Sequence, residues 1–505
     1  MVAWGFLLGF GFSVYSDFGI QPLLVIIVCQ FSEKGKGSIG KVSMERLWPS
    51  RFKVEYLLFL IPLTLTFLSW LLFPALANWI IINLFGYALS VEVTNPVWRG
   101  FISFFYSWYT LVGIGIPGIW IVVAYLSRKK AVKTKRMFNP LVSFIIPAFN
   151  QEKNVFNCID SLFKCTEKFD GICEIIVVDD GSTDCTYEVA KTAVRLGKTS
   201  HPHVGGKVFR HSANLGKIEA LRTGMNRAMG GLIAIVDADS EWETETLVWL
   251  VDYKLANGKK AVTGYAHPNG QGSKTNLLVN LQRLEYSQGL GVVRCAQSLG
   301  DNVLVVPGVI GLYDANLLRE ILSDKNIRSV TEDFEITLEM HRKGAKVGYI
   351  NYARSSTVAP TGLTALWHQR KRWFSGWLHN TLGLYRELFT KRSWISALLW
   401  YYIFEYFGTF VDLAAIISFP FLWFFAPDPL LFAFNLLVFI PYGLLIGFMI
   451  QAIALKFAYG SFVCGNLLFY TPLYVILWLV NIFARFRSIV NYLMGNPGKW
   501  HVDKQ

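Results

Sequence analysis

From Tyr56 to Val91 the chain carries no charged residue. A helix needs only about 20 apolar residues to cross the hydrocarbon core of a bilayer, so this stretch is expected to span a membrane. Two further candidates flank it: Trp4 to Phe31, apolar apart from Asp17 and a few polar residues, and Phe104 to Leu126. Three more apolar stretches close the chain, roughly Trp394–Phe425, Leu430–Leu455 and Phe462–Phe483. Composition agrees, since 53% of the 505 residues are hydrophobic and only 16% are charged, well below the roughly 25% of ordinary soluble domains.

The formal net charge of +13 would suit nucleic acid, but the basic residues gather beside the apolar spans. Six of them stand against two acidic residues between Glu33 and Lys53, and Arg128, Lys129, Lys130, Lys133, Lys135 and Arg136 follow the third span with no acid among them. The positive-inside rule puts both segments in the cytosol and the loop at Glu92 and Arg99 outside. Membrane lipids, not nucleic acid, are the expected partner. The polar middle of the chain then faces the cytosol. The seven cysteines include no Cys-x-x-Cys pair, which fits a reduced compartment without a zinc site. The start of the chain lacks the basic n-region of a cleavable signal peptide.

Residues 139–360 read as one α/β domain between N-terminal spans (1–138) and C-terminal ones (393–490). Short apolar runs recur at Leu141–Ile146, Glu174–Val178, Leu232–Val236, Lys260–Tyr265 and Val303–Val306. Val155, Ile159, Leu162 and Phe163 keep a helical spacing, as do Ile218, Leu221 and Met225. Alternating strands and helices predict a Rossmann-like, mostly parallel twisted sheet. Residues 361–392 combine Trp with basic residues, as helices lying in the membrane interface do. Residues 491–505 form a basic tail.

The run Leu232–Val236 leads directly into Asp237 and Asp239. Ligands gather at the carboxyl ends of parallel strands, and paired hard oxygen donors there suit Mg²⁺ or Mn²⁺ with substrate phosphates completing the shell. An acidic turn is the plainer reading of so short a signal. Its neighbours favour the metal: Ile145-Ile-Pro147-Ala-Phe149-Asn-Gln151-Glu152, Val177-Val-Asp179-Asp180-Gly-Ser-Thr-Asp184, Asn214-Leu-Gly-Lys217, Pro307-Gly308, Thr331-Glu332-Asp333 and Gln369-Arg-Lys-Arg372-Trp373.

In that order and spacing, over about residues 140–376, the chain resembles an inverting family-2 glycosyltransferase with a GT-A fold. More closely it is similar to the membrane-embedded processive synthases of hyaluronan, chitin, cellulose and poly-N-acetylglucosamine. The resemblance implies a cytosolic GT-A domain inserted between transmembrane segments, which moves a sugar from a nucleotide-sugar, expected to be a UDP-sugar, onto a growing β-linked glycan.

By that resemblance Pro147, Phe149, Gln151, Glu152, Asp179 and Asp180 contact the nucleotide, and Lys217 meets phosphate at a helix start. Asp239 with Asp237 holds the metal, and Asp333 is the base that takes the acceptor proton. Glu332, Pro307, Gly308, Gln369, Arg372 and Trp373 line the diphosphate and acceptor. The family often has Tyr and Glu where this chain has Phe149 and Gln151, and Glu152 is the substitute on offer. No second cytosolic domain of the cyclic-dinucleotide-binding type is expected.

Two other readings share parts of this pattern: a single-sugar transferase acting on a lipid acceptor, and a transporter or channel with an α/β regulatory domain. Nothing in a transporter requires all these motifs in order. Two expectations concern the C-terminal part. Glu405 and Asp412, seven residues apart in an apolar stretch, are expected to line a glycan path. Trp500, in a basic tail resembling a gating segment, is expected to lie in the cytosol, which requires one late stretch to be re-entrant or interfacial, and Pro472 singles out Phe462–Phe483 for it.

Overall fold

The structure, a computed structural model, describes residues 108–109, 111–128, 139–270, 276–327, 329–391, 394–425, 429–460 and 462–495. The spans expected at Trp4–Phe31 and Tyr56–Val91, most of the basic clusters and the tail with Trp500 lie outside these residues. The described residues fall in two compact units. One holds the residues up to Gly118 with Ser418–Ile440, and its described backbone is helical throughout. The other holds Ile119–Ile417 and the residues from Pro441 onward, and it contains the sheet.

The strands are β1 (Val142–Ala148), β2 (Cys173–Asp179), β3 (Gly205–Arg210), β4 (Leu232–Ile235), β5 (Ser240–Trp242), β6 (Ala261–Asn269), β7 (Gly311–Asp314) and β8 (Val347–Val358). They form one sheet in the order β3-β2-β1-β4-β7-β6-β8-β5. Every residue of β1 and β2 is buried, because helices cover both faces; hence the continuous apolar runs in the sequence. Helix α1 (Ile116–Arg128) precedes the sheet. On one face Phe144, Ile146, Ile175 and Val177 pack with α2 (Val155–Thr166) and α3 (Thr186–Ser200). On the other, Ile176 and Val178 meet Ala220 of α4 (Lys217–Arg227). Gly224 lets α4 lie close: a Cβ there would stand 2.4 Å from Ile145 Cγ2.

The remaining helices are α5 (Thr246–Ala256), α6 (Leu277–Tyr286), α7 (Ala315–Ser323), α8 (Glu332–Arg342), α9 (Leu363–Leu378), α10 (Trp394–Phe425), α11 (Pro429–Tyr459) and α12 (Tyr474–Leu493). The sheet keeps a parallel majority but is mixed: β3, β2, β1 and β4 run parallel, as do β6 and β8, whereas β4–β7, β7–β6 and β8–β5 pair antiparallel. One expectation about the sheet is corrected. The apolar run Val303–Val306 is no strand. Its amides are taken singly, Val303 by Val347 O, Leu304 by Gln297 Oε1 and Val306 by Thr337 Oγ1, so it is buried loop.

Among the described residues two helical segments are long and apolar enough to cross a membrane, Leu111–Arg128 and Asn466–Leu493. Pro472 sits in a 3₁₀ segment, Phe462–Leu473, that leads into α12. Helix α9 is fixed from two sides. Arg370 Nη2 donates to Glu285 Oε2 of α6 at 2.5 Å, and Asn481 Nδ2 of α12 donates to Glu285 Oε1 at 2.9 Å. Ser488 Oγ of α12 donates to the Lys371 carbonyl at 3.2 Å.

Candidate active site

Beyond the end of β4 the backbone turns at Asp237, whose N–H donates to Gly308 O at 2.8 Å. A Cβ on Gly308 would stand 2.5 Å from Asp237 Oδ1, so glycine is what leaves room for that carboxylate. Lys217 opens α4 after Gly216, which has φ +94°, a conformation that favours glycine. Its Nζ lies 2.6 Å from Asp237 Oδ1 and 2.6 Å from Glu332 Oε1. Glu332 and Asp333 are the first residues of α8, where the positive end of the helix favours carboxylates. One ammonium thus joins the strand-end Asp237 to the helix-start Glu332, residues far apart in the sequence.

Crowding of like charges sets the titration of the group. Burial, and then the charge of Asp237, push Asp239 up to about 6. Burial, and then the neighbouring Glu332, push Asp333 up to about 6. Burial also works against the charge on Glu332, but Lys217 outweighs it and holds that carboxyl below its usual value. Burial opposes the ammonium of Lys217 as well, and Asp237 and Glu332 together raise its pKa nonetheless. The site therefore sets Glu332, which stays ionised, apart from Asp239 and Asp333, both raised to about 6, and a carboxyl raised towards neutrality suits a general base.

Asp179 and Asp180 end β2. Arg210 Nε lies 3.1 Å from Asp179 Oδ2, and Ser182 N–H donates to Asp179 Oδ1 at 3.3 Å. Asp180 Oδ1 takes the Leu215 amide at 3.0 Å and Oδ2 the Gly216 amide at 2.8 Å. His211 Nδ1 also lies 2.7 Å from Asp180 Oδ1, and its Nε2 is 2.9 Å from Thr223 Oγ1 on α4. Asp180 therefore anchors the loop that presents Lys217 and keeps at most one acceptor position for a nucleotide. His211 was not singled out from the sequence; a lone histidine in a polar loop gives no signal there.

Asn150–Glu152 are stapled to Ser182–Thr186. The Asn150, Gln151 and Glu152 amides donate to Ser182 Oγ, Thr186 Oγ1 and Asp184 Oδ2 at 2.9, 2.7 and 3.3 Å. In return Glu152 Oε2 takes the Cys185 amide at 3.1 Å, and Gln151 Oε1 takes Asn154 Nδ2 at 2.8 Å. The side chains of Gln151 and Glu152 thus have partners within the protein. Pro147 is buried near the end of β1 and Phe149 is half-buried just beyond it.

On α9, Arg372 is exposed; its Nη1 reaches Val330 O at 3.4 Å, and its charge helps hold Glu332 ionised. Gln369 Oε1 is buried without a hydrogen-bond partner. The Trp373 ring lies 4.4 Å from the guanidinium carbon of Arg370. Pro307 closes a turn by accepting from the Ile310 amide at 3.1 Å. Glu405 accepts from Tyr401 OH at 2.5 Å on α10, one helical turn back, and Asp412 lies two turns further on, half-buried.

Among the described residues no three His, Cys, Asp or Glu side chains are grouped to hold a metal by themselves. Asp237 and Asp239 nonetheless fit a Mg²⁺ or Mn²⁺ ion, which is usually bound through one or two carboxylates plus substrate phosphates. The mutual repulsion that raises Asp239 is what a cation would relieve.

The mixed sheet with helices on both faces fits the GT-A fold. Residues 143–322 match the family Glycosyl transferase family 2, and this domain is a family-2 glycosyltransferase domain. It is 26% identical over 279 residues to the Poly-beta-1,6-N-acetyl-D-glucosamine synthase of Staphylococcus epidermidis, covering 55% of this chain and 64% of that one. It is 25% identical over 275 residues to the synthase of the same name from Staphylococcus aureus, covering 52% and 63%. The chain thus spans somewhat under two thirds of the length of these relatives. The mannosyltransferase PcManGT from Pyrobaculum calidifontis, solved in complex with GDP-Man and Mn²⁺, superposes with a TM-score of 0.50 at 18% identity, over 70% of this chain and 97% of that one. At that identity the likeness bears on the fold alone.

Proposed function

We propose that the protein elongates a β-linked polysaccharide from a nucleotide-sugar, inverting the anomeric carbon, and passes the product through its own membrane helices. The observation that carries this reading is the pair of 2.6 Å contacts by which Lys217 joins Asp237 to Glu332, with Asp333 raised towards neutrality next to them.

Lys217 and the amides at the start of α4 receive the diphosphate, exchanging carboxylate partners for phosphate oxygens. Arg372 adds a permanently ionised fork to the same group. A divalent cation held by Asp239 and Asp237 would supply Lewis-acid neutralisation of the departing diphosphate. Asp333 takes the proton from the acceptor hydroxyl as that oxygen attacks the anomeric carbon. Trp373 offers an apolar plate to the acceptor sugar, and Gln369 Oε1 an unused acceptor. The nucleotide side rests on Asp179, Asp180 and the loop around Phe149.

The relatives' name makes N-acetylglucosamine the first sugar to test. The purified full-length protein, given radiolabelled UDP-N-acetylglucosamine and a panel of other nucleotide-sugars, should yield a high-molecular-weight labelled polymer. Label confined to a lipid extract would point to single transfer, and no incorporation from any donor would remove the reading.

A further inference from the structure

One end of the sheet carries a polar patch on the face turned away from the core. Across β5, β8 and β6 the register sets Glu241, Ser356 and His267 in one row, and puts Arg354 beside Tyr265 in the next. Their neighbours along the same strands, Trp242, Ala353 and Ala266, belong to the core, as the alternation of a strand requires. Tyr459, the last residue of α11, covers the patch. His267 Nδ1 lies 2.6 Å from its hydroxyl, and the Tyr265 hydroxyl donates to the same oxygen at 3.4 Å. Strands and tyrosine enclose a cavity of about 340 Å³, at the small end of ligand pockets.

Glu241, Glu243 and Arg354 all line this cavity, yet among the described residues none of the three makes an ion pair. Arg354 Nε reaches only the Asn351 carbonyl, at 3.4 Å. Burial, and then the charges of Arg283 and Arg354, push His267 down to about 4, so its ring is uncharged at neutral pH. Charge then decides what the cavity accepts. A phosphate would find Arg354 but also two carboxylates, and a metal ion would find the carboxylates but also a guanidinium; like charges brought together oppose either ligand. A neutral polyol meets no repulsion. Its hydroxyls donate to Glu241 and Glu243 and accept from Arg354 and Ser356, and the Tyr459 ring offers an apolar surface beside a polar tip.

The cavity adjoins the metal acids. Glu241 stands two residues beyond Asp239, about 7 Å of extended chain, and Ser240 Oγ between them donates to Asp239 Oδ1 at 3.2 Å. We infer that this cavity is a saccharide site beside the transfer centre, holding the product glycan through Glu241, Glu243, Arg354 and Ser356. The inference rests on the polysaccharide reading and assigns residues that none of the sequence motifs contains.

The test uses full-length protein in nanodiscs, titrated calorimetrically with a β-1,6-linked N-acetylglucosamine trisaccharide. Glu241→Gln combined with Arg354→Met removes both charges at nearly constant volume. Glu241 is exposed and Arg354 half-buried, so the melting temperature should hold. Trisaccharide affinity should fall about tenfold, the scale of one charge-assisted contact. Polymer made from UDP-N-acetylglucosamine should shorten, and donor affinity should stay within about twofold. In a Trp373→Ala background, which lacks the plate proposed at the transfer centre, the trisaccharide should still bind, and the cavity substitutions should weaken that remaining binding. Unchanged affinity in the cavity variant would overturn the inference, as would loss of all binding with Trp373→Ala alone. Displacement of the trisaccharide by inorganic phosphate would make Arg354 an anion site and also overturn it. Failure of the glycosyltransferase reading shows separately, as a wild type that turns over no nucleotide-sugar, and the titration decides the cavity in either case.

Discussion

The two sides of the site are built on opposite terms. Where the donor is proposed to bind, polar groups already have partners: three contacts on Asp180, two carboxylates on Lys217, and a reciprocal staple between Asn150–Glu152 and Ser182–Thr186. Where the acceptor is proposed to bind, Gln369 Oε1 is buried with none. Apart from Lys217, which exchanges carboxylate for phosphate, this network is already set when the charged donor arrives, which is how preorganised electrostatics contribute to catalysis. An orphan acceptor instead awaits an uncharged ligand with a hydroxyl that donates to it. The difference teaches that donor-side changes should disturb folding and function together, and acceptor-side changes function alone.

The sharpest trial of that division is Asp333→Asn, which removes the proposed base at the boundary between the two. Transfer should fall by about a hundredfold to ten-thousandfold, the range of general-base catalysis. Donor affinity measured by equilibrium binding should persist. Loss of donor binding to the same degree would make Asp333 part of the donor network and erase the boundary.

Next in size is the metal. Asp239→Asn, or EDTA added to the wild type, should reduce transfer to background while the melting temperature in detergent changes little. Full activity under either condition would take the cation out of the mechanism and leave Lys217 and Arg372 to neutralise the diphosphate by themselves.

Lys217→Met should strike both stability and donor binding. It leaves Asp237 and Glu332 facing each other without a cation, and breaking a buried pair costs about 3–5 kcal/mol. The Lys217 and Asp237 side chains are 24% and 26% exposed, so the loss belongs at the lower end of that range. A stable variant with unaltered donor affinity would contradict the proposed role of the donor network.

The pH profile is a gentler probe. Asp333 acts as a base only when ionised, and its pKa is raised to about 6. The expected kcat/KM is therefore flat above that value and falls about tenfold per pH unit below it, because protonation removes the acceptor for the hydroxyl proton. Glu332, Lys217 and Asp237 face the same carboxyl. Lys217→Met takes away a cation and should move the acid limb to higher pH; a limb that stays put would assign it to another group.

How much of this could be read from the sequence follows from burial. β1, β2, β4 and β6 were legible because strands covered on both faces are nearly unbroken apolar runs, and α2 because Val155, Ile159, Leu162 and Phe163 keep one face. β3 was not, since Gly205–Arg210 is an edge strand of half-exposed and polar residues. β8 alternates buried with partly exposed side chains over Asn351–Val358 and includes Arg354 and two serines, so it did not stand out. Val303–Val306 misled because a buried loop and a buried strand have the same composition. The motifs located Asp237, Glu332 and Lys217 separately. No local pattern could announce that one ammonium joins them.

The smallest effect is expected farthest from the chemistry, at Glu405 and Asp412, and it asks whether the acceptor side continues into α10. The two acids lie seven residues apart on one helical face, and both are half-buried. The Tyr401 hydroxyl, not a cation, engages the Glu405 carboxylate. Arg485 of α12, which might have neutralised it, instead donates to the Glu405 backbone carbonyl at 3.1 Å and lies 4.9 Å from the Phe374 ring and 5.5 Å from the Tyr406 ring. Carboxylate, phenol and aromatic groups follow one another from α9 to α10, and it is here that the path for a neutral glycan is proposed to continue. Glu405→Ala with Asp412→Ala should shorten the polymer by about twofold to fivefold, a loss of one or two weak hydrogen bonds per step, and leave donor affinity intact. Chains of wild-type length would confine the acceptor side to the domain itself.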